Sequence, residues 1–318
     1  MNTPPREYLE SRSASSQHLY LSRNNDIIGF GPMWAQMDKY SISLNGNRWH
    51  DALCRRYNKF YAQPKSRKEY INSIQSAIKN GFRWIDFSCA YGDGILFGEG
   101  LRVEGVSREE LIITTRVSNK AQYEGGIKDE FLYFLENAKL NYVDILQFHW
   151  PVTNHYLDTW REMEKLYEEG YVKYLGVANC NQHHLEEIFK ICKYKPEVGQ
   201  FEIHPLFTQK PLIEYYKQHD IQVCAYTPIA RFDDRLMRLP MLKQIGEKYR
   251  KSVIQVVLRW HIQNGVIPIV RAMNLRHQKE NIDIFDFDLT QEEIKMIDAI
   301  NINSRLRYDP DNCDFSIL

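Results

Sequence analysis

Four side chains with the means to move a proton stand at the ends of short apolar runs. Asp86 closes one such run, and Tyr91 follows it closely. Arg116 ends the stretch IITTRVS, residues 112–118, and His149 follows a fourth run. A carboxylate and a guanidinium from neighbouring strand ends can form a charge-assisted pair. A fixed cation beside a phenol stabilises the phenolate, which tunes the phenol to give its proton to a developing alkoxide. An imidazole at the same rim can donate a hydrogen bond to that oxygen and orient a carbonyl. Any one of these residues alone reads best as a strand-end polar group making structural bonds. Four of them on consecutive strand ends read as a site. Later strand ends add Asn179, Gln200, Glu202, His204, Tyr226 and Arg271.

The elements that must position them alternate regularly. Strand-like runs cover 27–30, 82–87, 111–115, 143–148, 174–178, 198–203, 221–226 and 266–270. Helix-like segments lie between, at 69–80, 94–104, 128–140, 156–169, 181–192, 210–219 and 252–264, the first stopped by Gly81. Continuous apolar strands separated by helices indicate a parallel sheet. Eight such units in 318 residues predict an α/β fold, a closed (β/α)8 TIM barrel, with the active site at the C-terminal ends of its strands. An open doubly wound sheet would need a Gly-rich turn after the first strand, and none is there. Residues 1–17 read as a flexible tail and 18–318 as one barrel domain, which opens with a β-hairpin over 18–30 turning at Arg23-Asn24-Asn25-Asp26. A long insertion spans 36–66 after the first strand, and a C-terminal loop spans 303–318.

Apolar residues make up 43% of the chain and charged residues 26%, enough for a substantial core. Formal net charge is zero and the pI about 7.1, which argues against a nucleic-acid or membrane-surface partner. No apolar leader or membrane-spanning run is visible. The six cysteines are scattered without a CxxC pair. They predict reduced structural thiols in a cytoplasmic protein, with no metal.

The segments IDFSCAYGDG, TTR, LQFHWP, GVANCN, GQFEIHP, AYTPIA and IVRAMNLRHQKEN, in this order, resemble the aldo-keto reductase superfamily over about residues 19–303. The resemblance implies a (β/α)8 barrel that binds NADPH/NADP without a Rossmann fold and reduces carbonyls by hydride transfer. The family's catalytic Asp, Tyr, Lys and His fall on Asp86, Tyr91, Arg116 and His149, so an arginine stands in place of the lysine. Arginine is larger, planar and always charged. It can keep a working reductase, hold an anionic substrate, or mark a barrel turned to another use. The family's nicotinamide contacts fall on Ala178, Asn179, Gln200 and the stacking Tyr226, with one hydroxyl lost at Ala178. Its cofactor loop after the seventh strand falls on Thr227, Pro228, Ile229, Ala230 and Arg231. Its grip on the adenosine 2′-phosphate falls on Arg271, Ala272 and His277, and the adenine-side pair on Glu280 and Asn281. Each lost neutral hydrogen bond is worth about 1 kcal/mol, so weakened NADPH binding is expected, with NADPH preferred over NADH through Arg271.

The insertion carries Arg48, Arg55, Arg56, Lys59 and Lys65 among Trp49, Tyr57, Phe60 and Tyr61. As a βα loop it leaves from the active-site rim, where it can form a lid, a partner surface, or a solvated excursion. The C-terminal loop, NSRLRYDPDNCDF, is similar to that of bacterial diketogluconate-reductase-like members and would bring Arg305, Arg307 and Tyr308 near the substrate. Gly92, Gly94 and Gly98 mimic a phosphate loop at the wrong spacing and read as a loop and helix start. His183, His184 and Glu187 have metal-like spacing and read as a solvated helix face. Glu202 and His204 read as structural. The expectation is an NADPH-dependent aldehyde or ketone reductase acting on a small, anionic or polar carbonyl substrate, in a specialised biosynthetic pathway. The alternatives are a redox-neutral isomerase, epimerase or lyase on the same barrel, and a catalytically silent NADP-binding protein. Many family members are monomers, and a monomer is mildly favoured.

Overall fold

The computed structural model describes residues 27–32, 66–88 and 94–315. The hairpin turn, the insertion up to residue 65 and Tyr91 lie outside the described residues. Elements run β1 (Gly29–Phe30), α1 (Arg67–Lys79), β2 (Trp84–Asp86), α2 (Gly94–Leu101), β3 (Ile112–Val117), α3 (Asn119–Glu124), α4 (Ile127–Ala138) and β4 (Val143–Phe148). They continue with α5 (Tyr156–Glu168), β5 (Val172–Ala178), α6 (Gln182–Ile191), β6 (Val198–Glu202), α7 (Lys210–Gln218) and β7 (Gln222–Tyr226). The chain then runs through α8 (Asp234–Met237), α9 (Pro240–Tyr249), α10 (Val253–Gln263), β8 (Val266–Val270), α11 (Leu275–Ile282) and α12 (Gln291–Asp298). The eight strands are parallel and close in chain order, with β8 pairing back to β1. This is the expected (β/α)8 barrel.

Local chemistry explains the element ends. Ser66 caps α1 by accepting from the Glu69 amide at 3.2 Å, and the helix buries Tyr70, Ile74, Ala77 and Ile78 along one stripe. The stop at Gly81 is real, with φ +103°. Gly94 and Gly98 belong to α2, not to a phosphate loop. A Cβ on Gly98 would lie 2.2 Å from the Ala138 carbonyl oxygen, so this glycine lets α2 approach α4.

Side chains alternate across each strand, so every second residue faces the barrel interior. Trp84, Ile145, Val198, Cys224, Ile267 and Ile269 form one buried apolar cluster from five strands. Trp84 Nε1 donates to Thr114 Oγ1 at 2.8 Å, which places Thr114 on the same face. Two residues further along their strands come Asp86 and Arg116, and Gln200 stands two beyond Val198. The interior therefore changes from apolar to charged within one layer, toward the C-terminal ends of the strands.

His261, on α10, is fully buried, and its Nε2 donates to the Pro228 carbonyl at 3.0 Å, tying the helix to the loop after β7. Burial lowers its pKa to about 3, against the raising effect of that bond. His184 is likewise lowered to about 4, by burial first and by His183 second. In the unfolded chain both take up a proton near the ordinary value of about 6.5. The unfolded state therefore binds more protons below that pH, and stability is lost as pH falls. At pH 5, each histidine that stays neutral in the fold removes up to about 2 kcal/mol relative to neutral pH. We expect the urea midpoint to fall between pH 7 and pH 5, and His261→Gln to show a shallower pH dependence than wild type. Parallel pH profiles for the two proteins would contradict this.

Candidate active site

The charged layer is organised by Arg116. Its Nη2 donates to both oxygens of Asp86, at 2.8 and 2.9 Å, and its Nη1 donates to the Phe87 carbonyl at 3.0 Å. The same Nη2 reaches across the barrel and donates to Gln200 Oε1 at 2.6 Å. Gln200 Nε2 closes the ring by donating to Asp86 Oδ1 at 3.2 Å. All three side chains are buried, and they come from β3, β2 and β6. The family resemblance assigns Gln200 to the nicotinamide. In the structure both ends of its amide are engaged by the ion pair.

His149 follows β4, and its backbone amide donates to the Val117 carbonyl at 3.1 Å. Its pKa is lowered to about 3, by desolvation first and then by the positive charges of Arg116 and Arg307. It is therefore a neutral imidazole across the physiological range, suited to donate a hydrogen bond and unsuited to carry a proton as an acid. Asn179, with φ +60°, sends its side-chain Nδ2 to the His149 carbonyl at 2.9 Å. Tyr226 Oη donates to Asn179 Oδ1 at 2.7 Å. The second expected nicotinamide contact is thus also occupied within the chain.

Two cavities meet at this rim. The smaller, about 150 Å³, is lined by Asp86, Arg116, His149, Ala178, Asn179, Gln200 and Tyr226, with Arg307. The larger, about 520 Å³, is lined by Thr227, Ile229, Arg271, Ala272, His277, Glu280 and Asn281. Thr227, Arg231 and Arg271 line both, so the two form one groove. All ten expected cofactor positions line that groove, together with three of the four expected catalytic residues; Tyr91 is the fourth. Sequence reasoning missed Pro32, Trp150, Phe232, Met237 and Ile254, which complete the walls. Trp150 had a signal, its place beside His149. Met237 and Ile254 lie on helices whose distance in sequence hides their proximity.

The loop joining the cavities is strained. Thr227, Ala230, Arg231 and Phe232 all have φ between 48° and 58°, a left-handed conformation costing non-glycine residues about 1–2 kcal/mol each. Its bracing is visible. Asp233 accepts from the Arg235 amide at 2.9 Å and pairs with the Arg235 guanidinium at 2.7 Å, while His261 holds Pro228. Such strain is typical of ligand clamps.

Of the C-terminal loop residues, Arg307 reaches the smaller cavity, whereas Arg305 lies over the Phe207 ring and faces Asp309 at 4.0 Å. Tyr308 packs edge-on to Trp150. Glu202, expected to be structural, is buried and accepts from the amides of Leu306 and Arg307. His183 is solvated as expected, but His184 is buried, which corrects that reading. His183, His184 and Asp311 do converge. However, His184 Nδ1 accepts from the Asn181 amide at 3.1 Å, so the neutral ring carries its proton on Nε2, the atom facing Asp311. A metal ligand needs the reverse, a bare nitrogen toward the ion and a donating one behind it. Cys180, Cys192, Cys224 and Cys313 are free thiols. No helix among the described residues is long and apolar enough to cross a membrane.

Removing one partner from a buried ion pair leaves an uncompensated charge. We therefore expect Arg116→Met to lower stability by about 3–5 kcal/mol and Arg116→Lys by clearly less, measured by urea denaturation. Equal and small effects would contradict a buried, mutually dependent pair.

A sequence model described as the Aldo/keto reductase family matches residues 56–302. A glyoxal reductase of Bacillus subtilis is 42% identical over 247 residues, covering 78% of this chain and 89% of that protein. A 9,11-endoperoxide prostaglandin H2 reductase of Trypanosoma cruzi is 40% identical over 245 residues, covering 77% and 87%. The solved structure of a Bombyx mori aldo-keto reductase in complex with NADP superimposes with a TM-score of 0.72 at 27% identity, covering 90% of this chain and 92% of that one. With this sequence match, this barrel and this rim, the chain belongs to the aldo/keto reductase family.

Proposed function

We propose that the protein is an NADPH-dependent carbonyl reductase with a small polar or anionic substrate. The observation that carries this reading is the single groove that runs from Arg271 to His149 and the Asp86–Arg116 pair. The groove fits an extended, phosphate-bearing dinucleotide. Arg231 and Arg271 supply cations where its two cavities meet, and Ile229, Ile254, Ile269 and Val270 supply apolar wall. Arg271 and His277 would hold phosphate, Glu280 and Asn281 the adenine side, and Tyr226 and Asn179 the nicotinamide side. The dinucleotide, when bound, supplies the hydride. NADP-bound and reductase-named relatives support the assignment. Free thiols fit a cytoplasmic setting.

The protein's own residues do the rest. Neutral His149 donates a hydrogen bond that orients the substrate carbonyl. Tyr91, soon after Asp86 in the chain, is the acid that protonates the developing alkoxide. Asp86 and Arg116 set the charge around that phenol. Ala178 and Tyr226 wall the pocket, and Trp150 helps exclude water.

One observation favours a second reading. Arg116 holds the Gln200 amide, which the family pattern assigns to the nicotinamide. A barrel with that contact occupied suits a weakly binding reductase. It also suits a redox-neutral or silent member.

The test is NADPH consumption, followed by its absorbance, with glyoxal, methylglyoxal and simple aldehydes. We expect turnover by wild type and a loss of about 10²–10⁴ in kcat for Tyr91→Phe. Turnover unaffected by Tyr91→Phe would remove the assigned acid. NADPH binding without any oxidation would favour the second reading.

A further inference from the structure

Arg307 has no place in the mechanism above, yet it lines the same small cavity as His149. Four arginines line that cavity, Arg116, Arg231, Arg271 and Arg307, against one carboxylate, Asp86. Three of the four have another evident task. Arg116 is committed to Asp86 and Gln200. Arg231 and Arg271 also line the larger cavity, where phosphates are expected. Arg307 lines only the smaller one. Among the described residues no carboxylate side chain pairs with its guanidinium, which lies 5.5 Å from the centre of the Tyr308 ring.

Its backbone is fixed with unusual firmness for a C-terminal loop. The buried Glu202 carboxylate, at the end of β6, accepts from the Leu306 amide at 2.6 Å and the Arg307 amide at 2.8 Å. Its first oxygen also meets His204 Nε2 at 3.0 Å, and that ring is fully buried. The Ser304 amide donates to the Leu206 carbonyl at 2.9 Å, a second tether for the same loop. A rigid strand end thus holds the base of a long cation whose head faces the substrate cavity. Preorganisation of this kind is what anion recognition by a guanidinium requires.

We infer that Arg307 is the substrate's anion receptor and that Glu202 is its positioning residue. The preferred substrates are then small carbonyl compounds carrying a carboxylate a few bonds from the reacting carbon. The carbonyl sits at His149 and the carboxylate at Arg307. The inference rests on the reductase reading for its carbonyl end, and on Arg307 and Glu202 alone for its anionic end.

The experiment compares succinic semialdehyde, its methyl ester and butanal as substrates with NADPH, for wild type, Arg307→Gln, Arg307→Lys and Glu202→Gln. Wild type should show a kcat/KM for the anionic aldehyde about tenfold or more above the two neutral ones, as expected for a charge-assisted hydrogen bond. Arg307→Gln should bring that ratio toward one, mainly through KM, and Arg307→Lys should restore part of it. Glu202→Gln should lower the ratio without removing the arginine. Glyceraldehyde 3-phosphate, run beside these, distinguishes a carboxylate site from a phosphate site; preference for it would overturn the carboxylate assignment. Equal losses on charged and neutral aldehydes, with weakened NADPH binding in Arg307→Gln, would assign Arg307 to the cofactor and overturn the inference. If wild type oxidises NADPH with no aldehyde, the reductase reading fails instead. Binding of unreactive succinate, measured by calorimetry, then decides the anionic end alone. Affinity at least several-fold weaker in Arg307→Gln supports the receptor, and equal affinity refutes it.

Discussion

A guanidinium inside a barrel must be paid for by its neighbours, and the Asp86–Arg116 pair shapes the surrounding site for that reason. Desolvating two charges costs several kcal/mol each, recovered only where geometry is close and the remaining donors and lone pairs are satisfied. Here the recovery draws in the Phe87 carbonyl and both ends of the Gln200 amide. The pair therefore couples β2, β3 and β6, strands from opposite sides of the barrel. Below it lies the apolar layer of Trp84, Ile145, Val198 and Cys224. Above it opens the cavity with His149. The positive charge of Arg116 contributes, after desolvation, to keeping that imidazole neutral.

The same economy explains the groove. An ammonium is a compact point charge, whereas a guanidinium extends its donors sideways. The longer reach of Arg116 lets it engage Gln200, a residue the family pattern offers to the cofactor. Asn179 is held in turn between the His149 carbonyl and the Tyr226 hydroxyl. A nicotinamide entering this site has to compete for both amides. At the other end of the groove the left-handed turn over Ala230, Arg231 and Phe232 stores strain, braced by Asp233 and His261. The site is stiff where the cofactor phosphates are expected and internally satisfied where the nicotinamide is expected.

Much of this was legible in the sequence where one physical signal dominated. The runs at β4 and β8 are buried along their whole length, β8 wholly apolar and β4 apolar apart from Asp144 and Gln147, and their predicted limits match the strands. β1 is only Gly29–Phe30, two residues shorter than its apolar run suggests. After residue 230 the sequence reading found only the helix at 252–264, which is α10, and missed α8, α9, α11 and α12. α8 and α9 are short and follow a loop whose left-handed residues include no glycine to mark them. Their places at the ends of successive apolar runs put Asp86, Arg116 and His149 on one rim. Those places could not show that Arg116 would reach Gln200, because that contact joins strands three places apart in the barrel order. Likewise Arg305 and Arg307 look equivalent in NSRLRYDP, and only the Glu202 clamp decides which one faces the cavity. His184 reads as a surface residue in a polar stretch, yet its ring caps its own helix and is buried.

The most direct measurement is the dissociation constant of NADPH, by quenching of tryptophan fluorescence, for wild type and Arg116→Lys. If Arg116 competes with the nicotinamide for Gln200, shortening it to lysine frees the amide, and NADPH should bind several-fold more tightly. Equal or weaker binding in Arg116→Lys, with the variant folded, would contradict the account.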